Sequence, residues 1–151
     1  MFTGNYNFTL DSKSRVSIPS GFREYMLKLY NNRVTLTKNL LGLSIIIWPD
    51  PVYVRFSEKL LALPEGDEDA EELKMFFMAW AFQTEFDANG RIFVPQALRD
   101  HAKLRRDVVI AGMGHKIHIW SEEAWGDLNR GSGADTDRLR QIMKKFNISS
   151  I

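Results

Sequence analysis

The sequence predicts an α+β fold in which two tandem β-β-α-β repeats pack about a pseudo-two-fold axis, with connecting helices. The first observation is an internal repeat, since residues 10–19 (LDSKSRVSIP) return in altered form as residues 86–95 (FDANGRIFVP). The second observation is that strand-like runs follow both copies and end at Trp48 and Trp120. An internal repeat of this kind indicates two related structural units, each of which buries its apolar face against the other.

The polar turn in each copy is flanked by short alternating runs, which together predict a local β-hairpin. In copy one these runs are residues 7–10 and 15–18. Copy two carries Asn89-Gly90, which favours a tight turn because both central residues of such a turn need positive φ. Ser14 occupies the glycine slot of copy one. If that slot is left-handed, we expect the serine to cost about 1 kcal/mol.

A proline ends the second strand of each predicted hairpin, at Pro19 and at Pro95. Each proline also suits the first turn of a helix, where its missing N–H does no harm. The sequence then predicts helices over residues 20–30 and 96–102. Later strands are predicted over residues 34–37, 43–48, 108–111 and 116–120, and later helices over residues 52–63, 71–82, 124–128 and 135–146.

These elements divide the chain into four parts. Repeat 1 covers residues 5–52, repeat 2 covers residues 81–124, and a helical linker of residues 53–80 connects them. Residues 125–151 form a C-terminal helical tail, in which residues 131–134 (GSGA) are typical of a flexible joint. We expect the repeats to pack on each other, because a unit of roughly 45 residues buries too little apolar surface to be stable alone.

The composition, with 44% hydrophobic and 26% charged residues, indicates a globular protein. The formal net charge is only +1, but the charge is unevenly distributed. Residues 1–40 carry a net +4, residues 41–80 a net −5 and residues 81–120 a net +2. Both repeats are therefore basic and the linker is acidic, so one face of the protein can be basic although the whole chain is almost neutral.

Several features of the sequence predict a cytoplasmic protein. The chain contains no cysteine, so it has neither disulfides nor thiolate ligands. The N-terminus lacks the basic and apolar regions of a secretion signal, and no run of about 18 apolar residues is present. We therefore expect a protein of the cytoplasm without a membrane partner.

The sequence offers no combination of nucleophile, general base and orienting residue, which argues against an enzyme. His115 and His118 are three residues apart, and on a strand that spacing puts the two side chains on opposite faces. No third ligand lies near them in the sequence. We therefore expect no metal site, no cofactor and no small-molecule substrate.

Arg15 and Arg91 occupy the same slot beside the polar turn, on the polar side of a strand. Guanidinium groups suit contacts to DNA bases or phosphates, because they present several donors in a fixed geometry. An aspartate accompanies each arginine, Asp11 in copy one and Asp87 in copy two. A structural salt bridge is therefore the alternative role, and a mixed outcome, in which one copy binds DNA and the other stabilises the fold, also stays open.

The pattern Asp-x-x-x-Arg-Val-x-Ile-Pro, followed by Phe-Arg, is similar to the signature of the AbrB/SpoVT DNA-binding domain. In copy one the pattern covers residues 11–19 and continues at Phe22 and Arg23. Two tandem copies, together with an opening Met-Phe-x-Gly, resemble the MraZ family of bacterial transcriptional regulators. The resemblance covers about residues 1–128.

The resemblance implies a swapped-hairpin fold in which two repeats interlock. It also implies a nucleoid-associated DNA-binding regulator of the bacterial division and cell-wall gene cluster. Such a protein binds short direct repeats in double-stranded DNA as a ring-like homo-oligomer. By motif position, the resemblance implies DNA contacts from Lys13, Arg15 and Arg23 in repeat 1 and from Arg91 and Arg99 in repeat 2.

The two repeats depart from the family pattern in different ways. Ser14 replaces the usual turn glycine of repeat 1, which affects the geometry of that turn. Asn89 stands where repeat 1 has Lys13, so repeat 2 offers one charge fewer for phosphate. Arg23 and Arg99 lie on helices, where solvated charges or partners of nearby acids are the alternative roles.

Related swapped-hairpin domains also serve as antitoxin platforms, so a protein-interaction module on the same fold is the alternative function. In such a module the C-terminal segment binds the partner as an extended strap. Here that segment is about 20 residues long and contains a basic helix. A basic segment does not suit a site that binds nucleic-acid mimics, and DNA binding is therefore the favoured function.

Overall fold

The structure is a computed structural model that describes residues 1–130 and 135–149 of the chain. The predicted flexible joint at residues 131–134 lies outside the described residues. In chain order the elements are β1 (Asn5–Thr9), β2 (Arg15–Ser17), α1 (Ser20–Tyr30), β3 (Arg33–Lys38), β4 (Ser44–Pro49), α2 (Asp50–Leu61), α3 (Glu68–Lys74) with a π-helical continuation (Met75–Ala79), β5 (Phe82–Glu85), β6 (Arg91–Phe93), α4 (Gln96–His101), β7 (Asp107–Gly112), β8 (Ile117–Ser121), α5 (Glu122–Arg130) and α6 (Thr136–Lys145).

Six strands form one antiparallel sheet in the order β1-β7-β8-β4-β3-β5, and β2 pairs with β6 in a separate two-stranded ribbon. Strands β1 to β4 belong to the first repeat and β5 to β8 to the second. In this sheet β1 is equivalent to β5, β3 to β7 and β4 to β8. Exchanging the members of each pair gives the same strand order read from the other edge, as a pseudo-two-fold axis requires. The predicted α+β fold with two tandem repeats is therefore confirmed.

Two residue pairs lie on this axis. Val16 pairs with Ile92 in the ribbon, and these residues occupy the same slot of the sequence repeat. Ile46 pairs with His118 between β4 and β8, and each lies two residues before the tryptophan of its repeat. The ribbon and the sheet are therefore centred on one axis, and of these two pairs only Ile46 and His118 differ in chemistry.

The local β-hairpins predicted from the sequence are wrong, because the strands of each predicted hairpin pair with the other repeat. Strand β1 pairs with β7, and β2 pairs with β6. This is the interlocked arrangement that the family resemblance implies. A three-residue strand buries little by itself, whereas pairing across the repeats leaves Val16 0% and Ile92 1% exposed in the core.

The main core lies between the ribbon, helices α1 and α4, and the inner face of the sheet. Phe2 is fully buried in this core. Its ring packs edge-to-face against Phe22 and Tyr25 of α1, with ring centroids 5.3 and 5.0 Å away. The sheet contributes buried aliphatic side chains that include Ile45, Ile47, Ile110, Ile117 and Ile119.

The opposite face of the sheet carries a second, smaller cluster under α2. Trp48 is buried there, and its indole Nε1 donates to Thr37 Oγ1 at 2.8 Å. Phe56 of α2 stacks on Trp48, with 4.7 Å between the ring centroids. The Tyr53 hydroxyl donates to the Phe77 carbonyl at 2.8 Å. These contacts fix α2 and the π-helical segment against the side of the sheet that faces away from the ribbon.

The single helix predicted over residues 71–82 is wrong at both ends. Helix α3 begins earlier, after Asp67, whose carboxylate accepts a hydrogen bond from the Ala70 N–H at 3.0 Å. The chain then widens into the π-helical segment, and Phe82 already starts β5, opposite Leu36 of β3. Pairing with a neighbouring strand outweighs the helical spacing of the apolar residues at this point.

The last two helices are capped by side chains at their N-termini. Ser121 Oγ accepts a hydrogen bond from the Ala124 N–H at 3.0 Å and caps α5. Asp135 accepts one from the Arg138 N–H at 3.0 Å and caps α6. The predicted tail helix is therefore present. No helix in the part of the chain that the structure describes has the length and apolarity needed to cross a bilayer.

His118 makes the folded protein sensitive to mild acid. Burial, together with the nearby Lys116 ammonium, lowers the pKa of His118 from 6.5 to about 4. Between these values the unfolded chain takes up a proton that the folded chain does not. We therefore expect the free energy of unfolding to fall as the pH drops from 6.5 to about 4. His118→Gln should remove this part of the pH dependence. If the wild type and His118→Gln lose equal stability over this pH range, the prediction is contradicted. Urea unfolding at neutral pH and inside this window measures it.

Candidate nucleic-acid interface

Two four-residue turns flank the β2–β6 ribbon. Residues 11–14 are named loop one, and residues 87–90 are named loop two. Each loop contacts the other repeat next to the ribbon. In loop one, for example, the Ser14 carbonyl accepts a hydrogen bond from the Val94 N–H of repeat 2 at 2.9 Å. Lys13 is exposed in loop one. The interlocked fold therefore brings the turn segments of both repeats to one short ribbon.

One aspartate organises each loop. Asp11 Oδ1 accepts hydrogen bonds from the backbone N–H groups of Lys13 and Arg15, each at 2.9 Å. Asp11 Oδ2 accepts a further bond from Arg15 Nε at 2.8 Å. Asp87 makes the equivalent contacts in loop two, including one from Arg91 Nε at 3.2 Å. The salt bridge considered as the alternative role of the arginines is therefore present in both repeats.

These contacts lower the pKa of both aspartates. The backbone N–H of Arg15 is the largest cause for Asp11, and burial partly opposes it. The backbone N–H of Arg91 is the largest cause for Asp87. Both carboxylates therefore stay charged at neutral pH and hold their loops. Because the folded pKa values lie below 3.8, this support is complete above pH 3.8 and is lost as the pH falls below that value.

The ribbon places two arginines on one outer face. Val16 and Ile92 point into the core, so Arg15 and Arg91, their neighbours in sequence, lie on the opposite face. Arg15 is paired with Phe93, and Arg91 lies two residues before Phe93. This diagonal places the Cα atoms of the two arginines about 7–8 Å apart. Each arginine side chain remains 29% exposed.

The salt-bridge and DNA-contact roles are compatible in this geometry. Within the Arg15 guanidinium, Asp11 binds only Nε, and within residues 1–130 and 135–149 the two terminal nitrogens of Arg15 make no hydrogen bond to protein. Arg91 also uses Nε for its aspartate, while its Nη1 lies 3.9 Å from Asp11 Oδ2. Each guanidinium is thus oriented at one nitrogen. The remaining donors suit the paired acceptors of a base edge or a phosphate.

The tight turn predicted at Asn89-Gly90 is wrong in its geometry. Only Gly90 of this pair has a positive φ, at 74°. The Gly90 N–H donates to the Asp87 carbonyl at 3.0 Å. The Asp87 side chain also accepts N–H groups two and four residues further along, so it turns the chain without a second left-handed residue. Ser14, in the equivalent slot of loop one, has a φ of 59°.

We expect Ser14→Gly to raise the free energy of unfolding by about 1 kcal/mol, because glycine removes the steric cost of a left-handed backbone. Gly90→Ser in the equivalent slot should have the opposite effect. A Cβ on Gly90 would lie 3.0 Å from Arg23 Nη1 as well as being strained by its φ. Urea unfolding of the two variants measures the difference. A Ser14→Gly protein no more stable than the wild type would contradict the prediction.

Arg23 and Arg99 donate to carbonyl groups of the protein. Arg23 Nη2 lies 3.3 Å from the carbonyl oxygen of Asp87 and 3.2 Å from that of Ala88. Arg99 Nη1 donates to the Val94 carbonyl within its own repeat. These bonds engage part of each guanidinium inside the protein. A DNA contact from either residue therefore stays a prediction.

Comparison with known proteins identifies the family. The family model described as "MraZ protein, putative antitoxin-like" matches residues 1–76 and, a second time, residues 77–142. The chain belongs to the MraZ family. A protein of Oenococcus oeni named "Transcriptional regulator MraZ" is 34% identical over 148 residues, which cover 98% of this chain and 100% of that protein.

Other members of the family give the same result. A protein of the same name from Alkaliphilus metalliredigens is 37% identical over 148 residues, covering 98% of this chain and 100% of its own length. One from Marinobacter nauticus is 35% identical over 137 residues, covering 90% of this chain and 91% of its own length. Membership of the MraZ family places the chain among transcriptional regulators and not among enzymes.

This MraZ-family chain also carries a basic group beside loop one that the repeat motif does not predict. The Leu10 N–H donates to the Arg106 carbonyl at 2.8 Å, so the segment before β7 runs next to loop one. Lys103, Arg105 and Arg106 are exposed in that segment. Residues 31–32, which correspond to Arg105 and Arg106, are asparagines, so the repeat motif gives no signal for these two arginines. The only sequence signal is three basic residues within four positions.

Proposed function

We propose that this MraZ-family protein is a sequence-specific DNA-binding regulator of the bacterial division and cell-wall gene cluster. In this proposal it binds short direct repeats as a homo-oligomer. The supporting observation is the outer face of the β2–β6 ribbon, where Arg15 and Arg91 are oriented by aspartates and remain partly exposed. The major groove of B-DNA is wide enough for a two-stranded β-ribbon.

The basic residues of this face have two proposed roles. Lys13 contacts phosphate, which sets the position of the protein but carries no sequence information. Arg15 and Arg91 contact base edges, where a bidentate arginine prefers guanine. By motif position the family resemblance also predicts contacts from Arg23 and Arg99, but the carbonyl partners of both side chains leave them fewer donors for DNA.

Assembly into a ring-like homo-oligomer supplies the affinity in this proposal. One chain meets few phosphates at a time, so its own affinity for DNA is modest. In a ring the same loops recur at a fixed spacing, and each contact after the first becomes intramolecular. The spacing of the direct repeats then selects the DNA together with the base contacts of Arg15.

We propose that residues 5–52 and 81–124 are the two DNA-binding repeats, that residues 53–80 are the helical linker and that residues 125–151 are the C-terminal tail. In support, each proposed repeat contains one loop, four strands and one helix between its second and third strands. The proposed partners are double-stranded DNA and further copies of the chain, with no cofactor, no small-molecule substrate and no membrane. The proposed location is the cytoplasm, at the nucleoid.

Fluorescence anisotropy with a duplex from upstream of the protein's own gene cluster tests this function. We expect tight binding to that duplex, weaker binding when the direct repeats are scrambled, and loss of affinity as salt rises. Sedimentation velocity at micromolar concentration tests the oligomer, and a monomer would remove the avidity argument. Equal affinity for both duplexes would refute sequence-specific binding. No binding to any DNA would favour the antitoxin-like protein-interaction module.

A further inference from the structure

Arg23 reaches from helix α1 of repeat 1 to loop two of repeat 2. Its Nη2 donates to the carbonyl oxygens of Asp87 and Ala88, at 3.3 and 3.2 Å. A Cβ on Gly90 would lie 3.0 Å from Arg23 Nη1 and 3.1 Å from its Cδ, so the arginine side chain lies directly over the glycine. Arg23 Nε is buried and has no hydrogen-bond partner among the described residues. The side chain is thus bonded to the loop at Nη2 and lies against Gly90 at Cδ and Nη1.

Loop one has no equivalent contact. Arg99 occupies the Arg23 slot of repeat 2, but its Nη1 donates to the Val94 carbonyl within its own repeat. In the part of the chain that the structure describes, no side chain of repeat 2 donates to a backbone carbonyl of loop one. The pseudo-two-fold symmetry is therefore broken at the candidate interface itself.

We propose that Arg23 is a positioning residue for loop two and not a DNA contact. Its effect on DNA binding rests on the function proposed above. Arg23 fixes the backbone of loop two, and thereby the start of β6 with Arg91, before DNA binds. Among the described residues, loop one is held by Asp11 and by backbone contacts that include the Val94 N–H, and no side chain of repeat 2 donates to its carbonyl groups. In this proposal loop one therefore adjusts its conformation on DNA.

The chemistry of the guanidinium group supports this role. The carbonyl oxygens of two successive residues face one end of a planar donor group: that of Asp87, which is half-buried and also accepts the Gly90 N–H, and that of the exposed Ala88. A loop that is already fixed loses less conformational entropy on binding, which strengthens association without adding a contact. While Nη2 stays bound to both carbonyl groups, Nη1 is the terminal nitrogen left for a phosphate contact, and it lies against Gly90.

Hydrogen exchange without DNA tests the placement. The backbone N–H groups of Asn89, Gly90 and Arg91 are all bonded to Asp87. We expect Arg23→Ala to speed their exchange at least tenfold and to leave the N–H groups of loop one unchanged. Arg99→Ala is the matched control and should leave loop two unchanged. Unaltered exchange in loop two of Arg23→Ala would overturn the proposal.

The salt dependence of DNA binding tests the mechanism. A phosphate contact contributes to the slope of log affinity against log salt, and its loss lowers that slope by about one. We expect Arg23→Ala to bind the target duplex about tenfold more weakly with an unchanged slope. Arg23→Lys keeps the charge but not the planar fork, so it should not restore wild-type affinity. A slope lowered by about one, or full rescue by lysine, would overturn the proposal.

The two experiments also separate this inference from the proposed function. If the wild-type protein binds no DNA, the proposed function fails, while the exchange measurement still decides whether Arg23 positions loop two. If the wild-type protein binds DNA and both Arg23 variants bind it as tightly as the wild type, the inference alone fails. Arg23→Lys also provides a folded variant should the alanine variant be unstable.

Discussion

Replacing Phe2 by alanine is expected to lower the free energy of unfolding by about 4 kcal/mol, a value typical of deleting a buried phenylalanine ring. Phe2 is completely buried. Its ring packs edge-to-face against Phe22 and Tyr25 of α1. Alanine therefore loses the apolar burial of the ring together with two aromatic pairs.

The backbone around Phe2 prevents the resulting cavity from closing. Phe2 and Gly114 exchange two backbone hydrogen bonds, at 2.7 and 2.9 Å. A Cβ on Gly112 would overlap the backbone of Phe2 and Thr3, so the N-terminal segment lies directly against the end of β7. The backbone of residue 2 is thus fixed at both sides. The smaller side chain leaves the space beside α1 unfilled, which is the condition under which such substitutions cost most.

Urea unfolding of the wild type and of Phe2→Ala measures this effect, and equal protein concentrations are needed because self-association adds to apparent stability. Phe146→Ala is a matched control, since Phe146 is 62% exposed in the tail. Its loss should change the free energy of unfolding by less than about 0.5 kcal/mol. A loss below about 1 kcal/mol for Phe2→Ala would show that the N-terminal segment is not part of the core.

Local elements could be predicted from the sequence because they depend on residues close to one another in the chain. The helix predicted over residues 20–30 forms α1 with the same bounds. The pairing of the strands could not be predicted in this way. Alternation shows which face of a strand is buried but not which strand lies beside it. The exchange of strands between the repeats followed only from the family resemblance.

The same distinction applies to the candidate site. Asp11 and Arg15 are four residues apart, so their salt bridge could be considered from the sequence alone. The bonds from Arg23 to loop two join residues 64 and 65 positions apart, and no local pattern encodes them. The equivalent Arg99 has a different partner although the motif is the same. Equal slots in a repeat therefore do not imply equal roles, because packing between the repeats decides which donors are used.

Arg15→Ala is expected to weaken binding to the target duplex about 10- to 100-fold, or about 1–3 kcal/mol for the loss of a bidentate base contact. The fold should tolerate the change, because Asp11 keeps the backbone N–H groups of Lys13 and residue 15 as partners. The loss of affinity has two causes. The guanidinium donors are removed, and the Asp11 carboxylate, left with only Arg91 Nη1 at 3.9 Å as a cation, repels the DNA phosphates more strongly. Fluorescence anisotropy at several salt concentrations measures the effect.

Two further variants separate these causes. Arg15→Lys keeps the charge but not the fork of donors, so it should keep the salt dependence and lose discrimination between native and scrambled duplexes. Arg55→Ala removes one positive charge from an exposed position on α2, which covers the side of the sheet away from the ribbon, and should bind like the wild type. Wild-type affinity and an unchanged salt slope for Arg15→Ala would mean that Arg15 does not contact DNA. The salt bridge to Asp11 would then be the role of Arg15, as a structural contact that holds the loop and the ribbon in place.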